Sequence, residues 1–236
     1  MEKVRILAII PAYNEANSIV DVAKSVSGCR LQTAKGVLGI DVVVIDDGSA
    51  DNTSELCKKN GIRVVTLPNN LGIGGAVQCG YRYAFNNGYD IAFQFDGDGQ
   101  HDAGSLDALL APILSGEADF VIGSRFLGMA GYQSTKLRRI GIKWLSLMIR
   151  LLTGKRITDP TSGFRAGNAG VIKRFSSRYP RDYPEPESAK WLLKEKFRIA
   201  EVPATMFARA HGRSSISLLN GVYYMIKVSF ALLITR

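Results

Sequence analysis

The apolar residues of the first hundred positions fall in short, almost unbroken runs. Val4-Arg-Ile-Leu-Ala-Ile-Ile10 is one, closed by the turn formers Pro11 and Asn14, and a run of that length bounded by turn residues predicts a buried strand. Asp41-Val-Val-Val-Ile45, Ile62 to Leu67 and Ile91 to Phe95 repeat the pattern. Between them, Ser18 to Val26, the stretch carrying Leu56 and Cys57, and Gly75 to Phe85 read as helices. Strands of continuous rather than alternating hydrophobicity, separated by helices, predict a mostly parallel sheet covered on both faces: an α/β sandwich.

Ligands of such sheets bind beyond the carboxyl ends of the strands. Three polar clusters stand at those ends: Tyr13-Asn14-Glu15, Asp46-Asp47-Gly48-Ser49 and Asp96-Gly97-Asp98. They are therefore expected to share one cleft.

The second half is patterned differently. Phe120-Val-Ile122 predicts a strand, and Lys136 to Leu152 carries Leu137, Ile140, Gly141, Trp144, Leu145, Met148, Leu151 and Leu152 at helical spacing, surrounded by Lys136, Arg138, Arg139, Lys143 and Arg150. A basic amphipathic helix with a tryptophan suits a membrane surface, and equally a core-facing helix with solvated cations. Leu218 to Ile234 is apolar but interrupted by Asn220 and Lys227, short of the roughly 20 apolar residues of a spanning helix. It is expected to be an interfacial or partner-binding helix, or the start of a membrane segment. Tyr179 to Pro186 is the one proline-rich patch, and no internal repeat is present.

Composition narrows the class. The 236 residues, 46% apolar, suit one large domain with a C-terminal appendage. Three cysteines without C-x-x-C spacing argue against a disulfide framework or a zinc site and fit a reducing, cytosolic setting. Met-Glu-Lys-Val-Arg leads straight into the first strand, unlike a signal peptide. The net charge of +9 admits nucleic acid, anionic lipid or phosphorylated substrates. The basic residues gather after residue 124 and interleave with Leu, Ile and Met, not with the stacking aromatics of a nucleic-acid surface.

Two carboxylates flanking a glycine, Asp96 and Asp98, can hold a hard divalent cation whose remaining ligands are substrate oxygens, with Gly97 letting a phosphate approach the backbone. The plainer reading is a pair of solvated turn aspartates. Asn69-Asn-Leu-Gly-Ile-Gly-Gly-Ala-Val77 lacks the Gly-Lys-Ser/Thr of a phosphate-binding P-loop, and its glycines suit a tight turn near a donor. Arg125 and Arg165 are fixed cations suited to phosphate oxygens.

Taken together and in order, "IIPAYNEANSI", "VVVIDDGSADNT", "NNLGIGGAVQCGYRYA", "FQFDGDGQH", "VIGSRF" and "DPTSGFRA" resemble family 2 of the inverting glycosyltransferases, and within it the dolichyl- or polyprenyl-phosphate hexosyltransferase branch. The resemblance implies a GT-A fold, a three-layer sandwich on a mostly parallel sheet with C-terminal interfacial helices. It also implies a nucleotide-sugar donor, UDP- or GDP-hexose, and Mg2+ or Mn2+. By residue, it implies donor-binding roles for Pro11, Tyr13, Glu15, Asp47, Asp96, Arg125 and Arg209, with Arg213 a second candidate beside Arg209. Asp46 would brace its turn. Asp96, Asp98 and Gln100 would ligate the cation; His101 could pair with the phosphates, although a lone histidine is more often a polar loop residue, and it is not counted among the ligands. Asp159, which also reads as a cap before Pro160, is the first catalytic candidate, followed by Arg165, Glu185 and Glu187. Pro184 and Pro186 set this last segment apart from the family's pattern.

On this reading residues 1–215 form the catalytic domain, with a nucleotide-sugar half to about 125 and an acceptor half from about 126, and residues 216–236 form the apolar helix. The expected reaction moves a hexose onto polyprenyl phosphate at the cytoplasmic face of a membrane. Transfer to a glycan hydroxyl and a catalytically silent lipid-binding module are the rival readings, and homo-oligomerisation is left open.

Overall fold

The computed structural model describes residues 4–33, 36–128, 136–206 and 218–234. The strands are β1 (Ile6–Ala12), β2 (Arg30–Thr33), β3 (Gly36–Asp46), β4 (Val64–Thr66), β5 (Ile91–Gln94), β6 (Phe120–Ser124), β7 (Arg165–Asn168) and β8 (Ile199–Pro203). They join in one sheet of order β2-β3-β1-β5-β7-β6-β8, with β4 also paired to β3. The pairs β1–β3, β1–β5, β3–β4 and β6–β8 are parallel. By contrast, β7 enters antiparallel between β5 and β6, so a strand from the second half of the chain is wedged beside the strand that leads to Asp96.

Both faces are covered. The helices are α1 (Ile19–Gly28), α2 (Thr53–Lys59), α3 (Gly72–Asn86), α4 (Leu106–Leu114), α5 (Lys136–Thr153), α6 (Ala169–Ser177), α7 (Pro184–Lys194) and α8 (Leu218–Ile234). Ile6, Ala8 and Ile10 of β1 pack with Val22 and Val26 of α1 and Leu109 of α4 on one face. Leu7 and Ile9 pack with Val77 of α3, Phe175 of α6, Leu145 of α5 and Leu232 of α8 on the other. Successive residues of a strand point to opposite faces, so a run apolar at every position serves two cores at once.

Three local expectations change. The strand expected from Asp41 begins earlier, because Gly36 to Gly39 folds back against β2 as an antiparallel pair, with Val37 exposed and Leu38 buried in the alternation of a half-covered ribbon. The proline-rich patch divides: residues 179–183 lie outside helix and strand, whereas Pro184 and Pro186 sit in the first turn of α7, where a missing N–H is not needed for the helix ladder.

The third change concerns α5, whose apolar stripe divides in two. Ile142, Leu145, Met148 and Ile149 are buried, whereas Ile140, Trp144 (50% exposed), Leu147 and Leu151 face outward at the i, i+4, i+7, i+11 spacing of one helix face. On α8, Ile226, Phe230 (59% exposed), Leu233 and Ile234 are likewise exposed. The helices meet where Trp144 Nε1 donates to Ser229 Oγ at 3.0 Å. One side of α5 is thus core-facing, and the other carries an exposed apolar stripe.

Candidate active site

The ends of β1 and β3 form the first wall. Ala12 and Asp46 are in register, and Asp47 N donates to the Ala12 carbonyl at 2.9 Å. The turns that follow are stitched together, Asn14 N donating to Ser49 Oγ and Ala50 N to Asn14 Oδ1, both at 2.9 Å. Asp46 accepts from Ser49 N and so braces its turn. Asp47 is buried, with Oδ1 accepting from Leu71 N at 2.7 Å. Burial raises its pKa, and backbone donors from Leu71 and Gly72 oppose that rise. Glu15, half-buried, accepts from Ser18 Oγ at 3.1 Å, and the same hydroxyl reaches the Gly97 carbonyl at 2.7 Å. This contact joins the first polar cluster to the third. Tyr13 presents an exposed ring, whereas Pro11 lies buried within β1 opposite Ile45, so of the two Tyr13 alone can offer a stacking face. Asp159 and Arg165 also stand differently from their expected roles, as described below.

Asp96 follows β5 directly, with its side chain about a third exposed (31%). Gln94 Nε2 lies 3.0 Å from Oδ1 and His101 Nε2 2.9 Å from Oδ2. An ionised carboxylate only accepts, so both nitrogens are the donors. Asp98 is buried and accepts from Gln100 N at 3.0 Å. The close backbone approach expected at Gly97 is to protein, since a side chain there would meet the Pro11 carbonyl at 3.2 Å. The tightest glycine beside Asp96 is Gly163, where an added Cβ would lie 3.1 and 3.3 Å from the Asp96 oxygens and 3.0 Å from Gln94 Nε2.

Arg125, just beyond β6, makes a two-pronged pair with Asp159: Nε to Oδ2 and Nη2 to Oδ1, each 2.7 Å. Asp159 is fully buried. Burial by itself would lower the Arg125 pKa, but the bonds and charge of Asp159 outweigh it and leave it raised. Asp159 is in turn set by Glu201 of β8, whose carboxylate accepts from Thr158 N and Oγ1 and from Asp159 N at 2.7 to 2.9 Å. Arg165 is also fully buried, and its guanidinium donates to the Ser162 and Glu185 carbonyls and to Ser188 Oγ. In this geometry Asp159 and Arg165 anchor the loop between them.

Glu185 and Glu187 part company on α7. Glu185 is half-buried, and burial raises its pKa. Arg165 opposes the rise, Asp96 adds to it and Arg125 opposes it, so all three charges act on this carboxylate. Tyr224 of α8 joins the same group: burial raises its pKa, Glu185 adds to the rise, and Arg138 and Arg125 oppose it. Glu187 instead lines a cavity of about 300 Å3 with Tyr183, Trp191 and Lys227. Arg209 and Arg213 lie outside the described residues.

The donor set beside Asp96 suits Mg2+ or Mn2+. Asp96 and Asp98 would offer carboxylate oxygens and Gln100 an amide oxygen, all hard ligand types, whereas among the described residues no group of three or more His, Cys, Asp and Glu could hold a metal ion by itself. Such ions are commonly held by one or two carboxylates together with substrate phosphates. Gln94, Glu201 and Gly163 escaped the reading of the sequence, although a glutamine inside Phe-Gln-Phe and an acid inside Ile-Ala-Glu-Val-Pro are polar breaks in strand patterns.

Comparison with known proteins identifies the family and the fold. The model of "Glycosyl transferase family 2" matches residues 7–178. UDP-N-acetylglucosamine--dolichyl-phosphate N-acetylglucosaminyltransferase of Methanococcus voltae is 30% identical over 218 residues, 84% of each chain. Undecaprenyl-phosphate mannosyltransferase of Micrococcus luteus is 32% identical over 226 residues, 90% of this chain and 88% of its own. Among solved structures, glucosyl-3-phosphoglycerate synthase of Mycobacterium tuberculosis, in complex with Mn2+, uridine-diphosphate and glucosyl-3-phosphoglycerate, superposes with a TM-score of 0.72 at 22% identity. It covers 99% of this chain and 80% of its own, which supports the GT-A fold. With its family model spanning most of the sheet and its relatives named for polyprenyl-phosphate acceptors, the chain belongs to glycosyl transferase family 2, in the polyprenyl-phosphate branch, and is a glycosyltransferase.

Proposed function

We propose that the enzyme transfers a hexose from a UDP- or GDP-sugar to a polyprenyl phosphate at a membrane surface, aided by Mg2+ or Mn2+. One observation carries this reading: Asp96 follows β5 and Arg125 follows β6, both strands run antiparallel to β7 between them, and Arg165 of β7 donates to the Glu185 carbonyl of α7. The acidic turn, the guanidinium and the second-half helix therefore converge at one edge of the sheet, where donor diphosphate and acceptor would have to meet.

Asp47 accepts from the base, Glu15 from a ribose hydroxyl, and Tyr13 offers its ring to the base or ribose. Asp96, Asp98 and Gln100 hold the cation, which when bound offsets the charge of the diphosphate. Arg125, oriented by Asp159 and Glu201, presents fixed positive charge toward phosphate oxygens, an arrangement that stabilises charge growing in the transition state. A phosphate oxygen of the acceptor attacks the anomeric carbon. The bond to the nucleoside diphosphate breaks, its electrons leave with the diphosphate, and the configuration inverts. An acceptor phosphate is already anionic, so no proton need be removed.

The exposed stripes of α5 and α8, rimmed by Arg139, Lys143 and Arg150, support peripheral docking on an anionic cytoplasmic leaflet. No described helix is long and apolar enough to cross a membrane. The raised pKa of Glu185 favours the second reading, transfer to a glycan hydroxyl, since such a group is suited to take up the hydroxyl proton.

The test uses radiolabelled UDP- and GDP-hexoses with Mg2+ or Mn2+, undecaprenyl phosphate in mixed micelles and, separately, soluble glycans. Label entering the organic phase upholds the proposal. Label confined to glycans favours the second reading, and no donor consumption with any acceptor defeats both.

A further inference from the structure

His101 is an unusual packing choice. Its ring is 5% exposed and stacks on Phe164 with centroids 5.0 Å apart, while Phe95 meets it edge-on at 5.4 Å. Nε2 reaches Asp96, but Nδ1 is buried and has no hydrogen-bond partner among the described residues. A buried polar atom left unpaired costs stability, so for packing alone a phenylalanine would serve better here. What a phenylalanine lacks is the N–H on the Asp96 carboxylate.

The surroundings extend this reasoning. Gln94 donates to the other Asp96 oxygen, and its own Oε1 is also buried with no partner among the described residues. Two flanking donors thus fix the plane of the carboxylate, each at the expense of an unpaired atom. The Thr-Ser-Gly-Phe loop closes the arrangement from behind: Gly163 leaves no room for a side chain against Asp96, and Phe164 supplies the stacking ring. The backbone of His101 also pairs with Met206 beyond β8. The ring is therefore held from the acceptor half of the chain while its N–H acts on the nucleotide half.

We propose that His101, assisted by Gln94, is a positioning residue that holds Asp96 in the orientation required for the divalent cation, and that Phe164 holds His101. The inference rests on the donor-cation reading above. Carboxylates that ligate metals are commonly oriented by such outer hydrogen bonds, and their loss typically weakens metal affinity by roughly 10- to 100-fold.

The experiment measures binding without turnover. Mn2+ is titrated into full-length protein with UDP or GDP present, free Mn2+ being followed by electron paramagnetic resonance. Nucleotide uptake in EDTA and the melting temperature are recorded alongside. His101→Phe keeps the flat ring and removes the donor. It is expected to weaken Mn2+ binding at least tenfold, with nucleotide uptake in EDTA unchanged and melting unchanged or raised. His101→Gln restores an N–H and is expected to recover part of the affinity. If His101→Phe binds Mn2+ like the wild type, the inference is overturned. It is also overturned if both variants lose metal-free nucleotide uptake and melt early, because the role is then only structural. If the wild type itself takes up no Mn2+ with either nucleotide, the donor-cation reading fails first and takes this one with it.

Discussion

Arg125 and Asp159 meet edge to edge, 34 residues apart in sequence, through two parallel hydrogen bonds of 2.7 Å, and no part of Asp159 reaches solvent. An acid so enclosed is poorly placed to take a proton from an acceptor. It instead fixes where the guanidinium points, and Glu201 fixes the acid in turn. The arginine of Gly-Ser-Arg-Phe is thereby preorganised, which on the proposed function is a condition for strong electrostatic stabilisation of a leaving group.

Removing one partner strands the other. Asp159→Ala is expected to destabilise the fold by about 3–5 kcal/mol, read from the urea midpoint, because a desolvated guanidinium loses its counterion. Leucine at both positions should be less damaging than Asp159→Ala, since an apolar pair of similar volume often replaces a buried ion pair with little loss. The double variant would nevertheless lose transfer activity. Recovery of stability together with activity would show that Arg125 has no role beyond the fold.

A second expectation concerns the surface. Trp144→Glu and Phe230→Glu each place a charge in the exposed stripe, and each is expected to lower sedimentation with anionic vesicles roughly tenfold, in line with the burial of a half-exposed aromatic. Nucleotide binding should be untouched. Arg139→Gln with Lys143→Gln should weaken vesicle binding by about 1 kcal/mol per charge at low salt, and the difference should fade as salt rises. Vesicle binding indifferent to all four changes would remove the two-helix face from the account.

What could be read in advance follows from these cases. The first half of the chain was legible because its strands are apolar at nearly every position, which places Glu15, Asp47 and Asp96 beyond strand ends on one side of a sheet. The second half was less so. Strand β7 is Arg-Ala-Gly-Asn, with no apolar run to announce it, and its arginine is buried by bonds to carbonyls that no pattern encodes. Asp159 sits in Asp-Pro-Thr-Ser, which reads as exposed turn chemistry. Only the approach of Arg125 and Glu201 in space makes it a buried anchor. The α5 stripe was visible, but periodicity alone could not divide it between core and solvent. The contact of His101 with Asp96 was not legible, because a single histidine in a loop carries no spacing signal.

Gly163→Ala probes the same neighbourhood by volume rather than by hydrogen bonding. A methyl group 3.1 Å from Asp96 Oδ2 forces the carboxylate or the loop to shift by a few tenths of an ångström, while the backbone itself needs no conformation restricted to glycine. Mn2+ affinity is therefore expected to fall by roughly 10-fold or more, with the melting temperature nearly unchanged. Unaltered Mn2+ affinity would mean that the loop gives way and leaves Asp96 where it is.

Glu185 separates the two acceptor chemistries. Burial raises its pKa, and the nearby charge of Asp96 adds to that against the opposing Arg165 and Arg125. The folded chain thus disfavours its ionised form. The resulting penalty is absent below the ordinary glutamate range, accrues as pH rises through the raised pKa, and is fully present above it. Because the group is half-buried the effect is modest, but its sign is fixed: Glu185→Gln should raise the melting temperature at pH 7, and the gain should vanish near about pH 4. Turnover should divide by acceptor. A lipid phosphate needs no base, so Glu185→Gln is expected to retain most of its rate. A hydroxyl acceptor relies on this carboxylate, and the rate is expected to drop roughly 10²- to 10⁴-fold. On hydroxyl acceptors the wild-type rate should also fall on acidification at a pH above the ordinary glutamate range, as the carboxylate takes up its proton. A Gln variant impaired equally on both acceptors would place Glu185 in binding rather than in proton transfer.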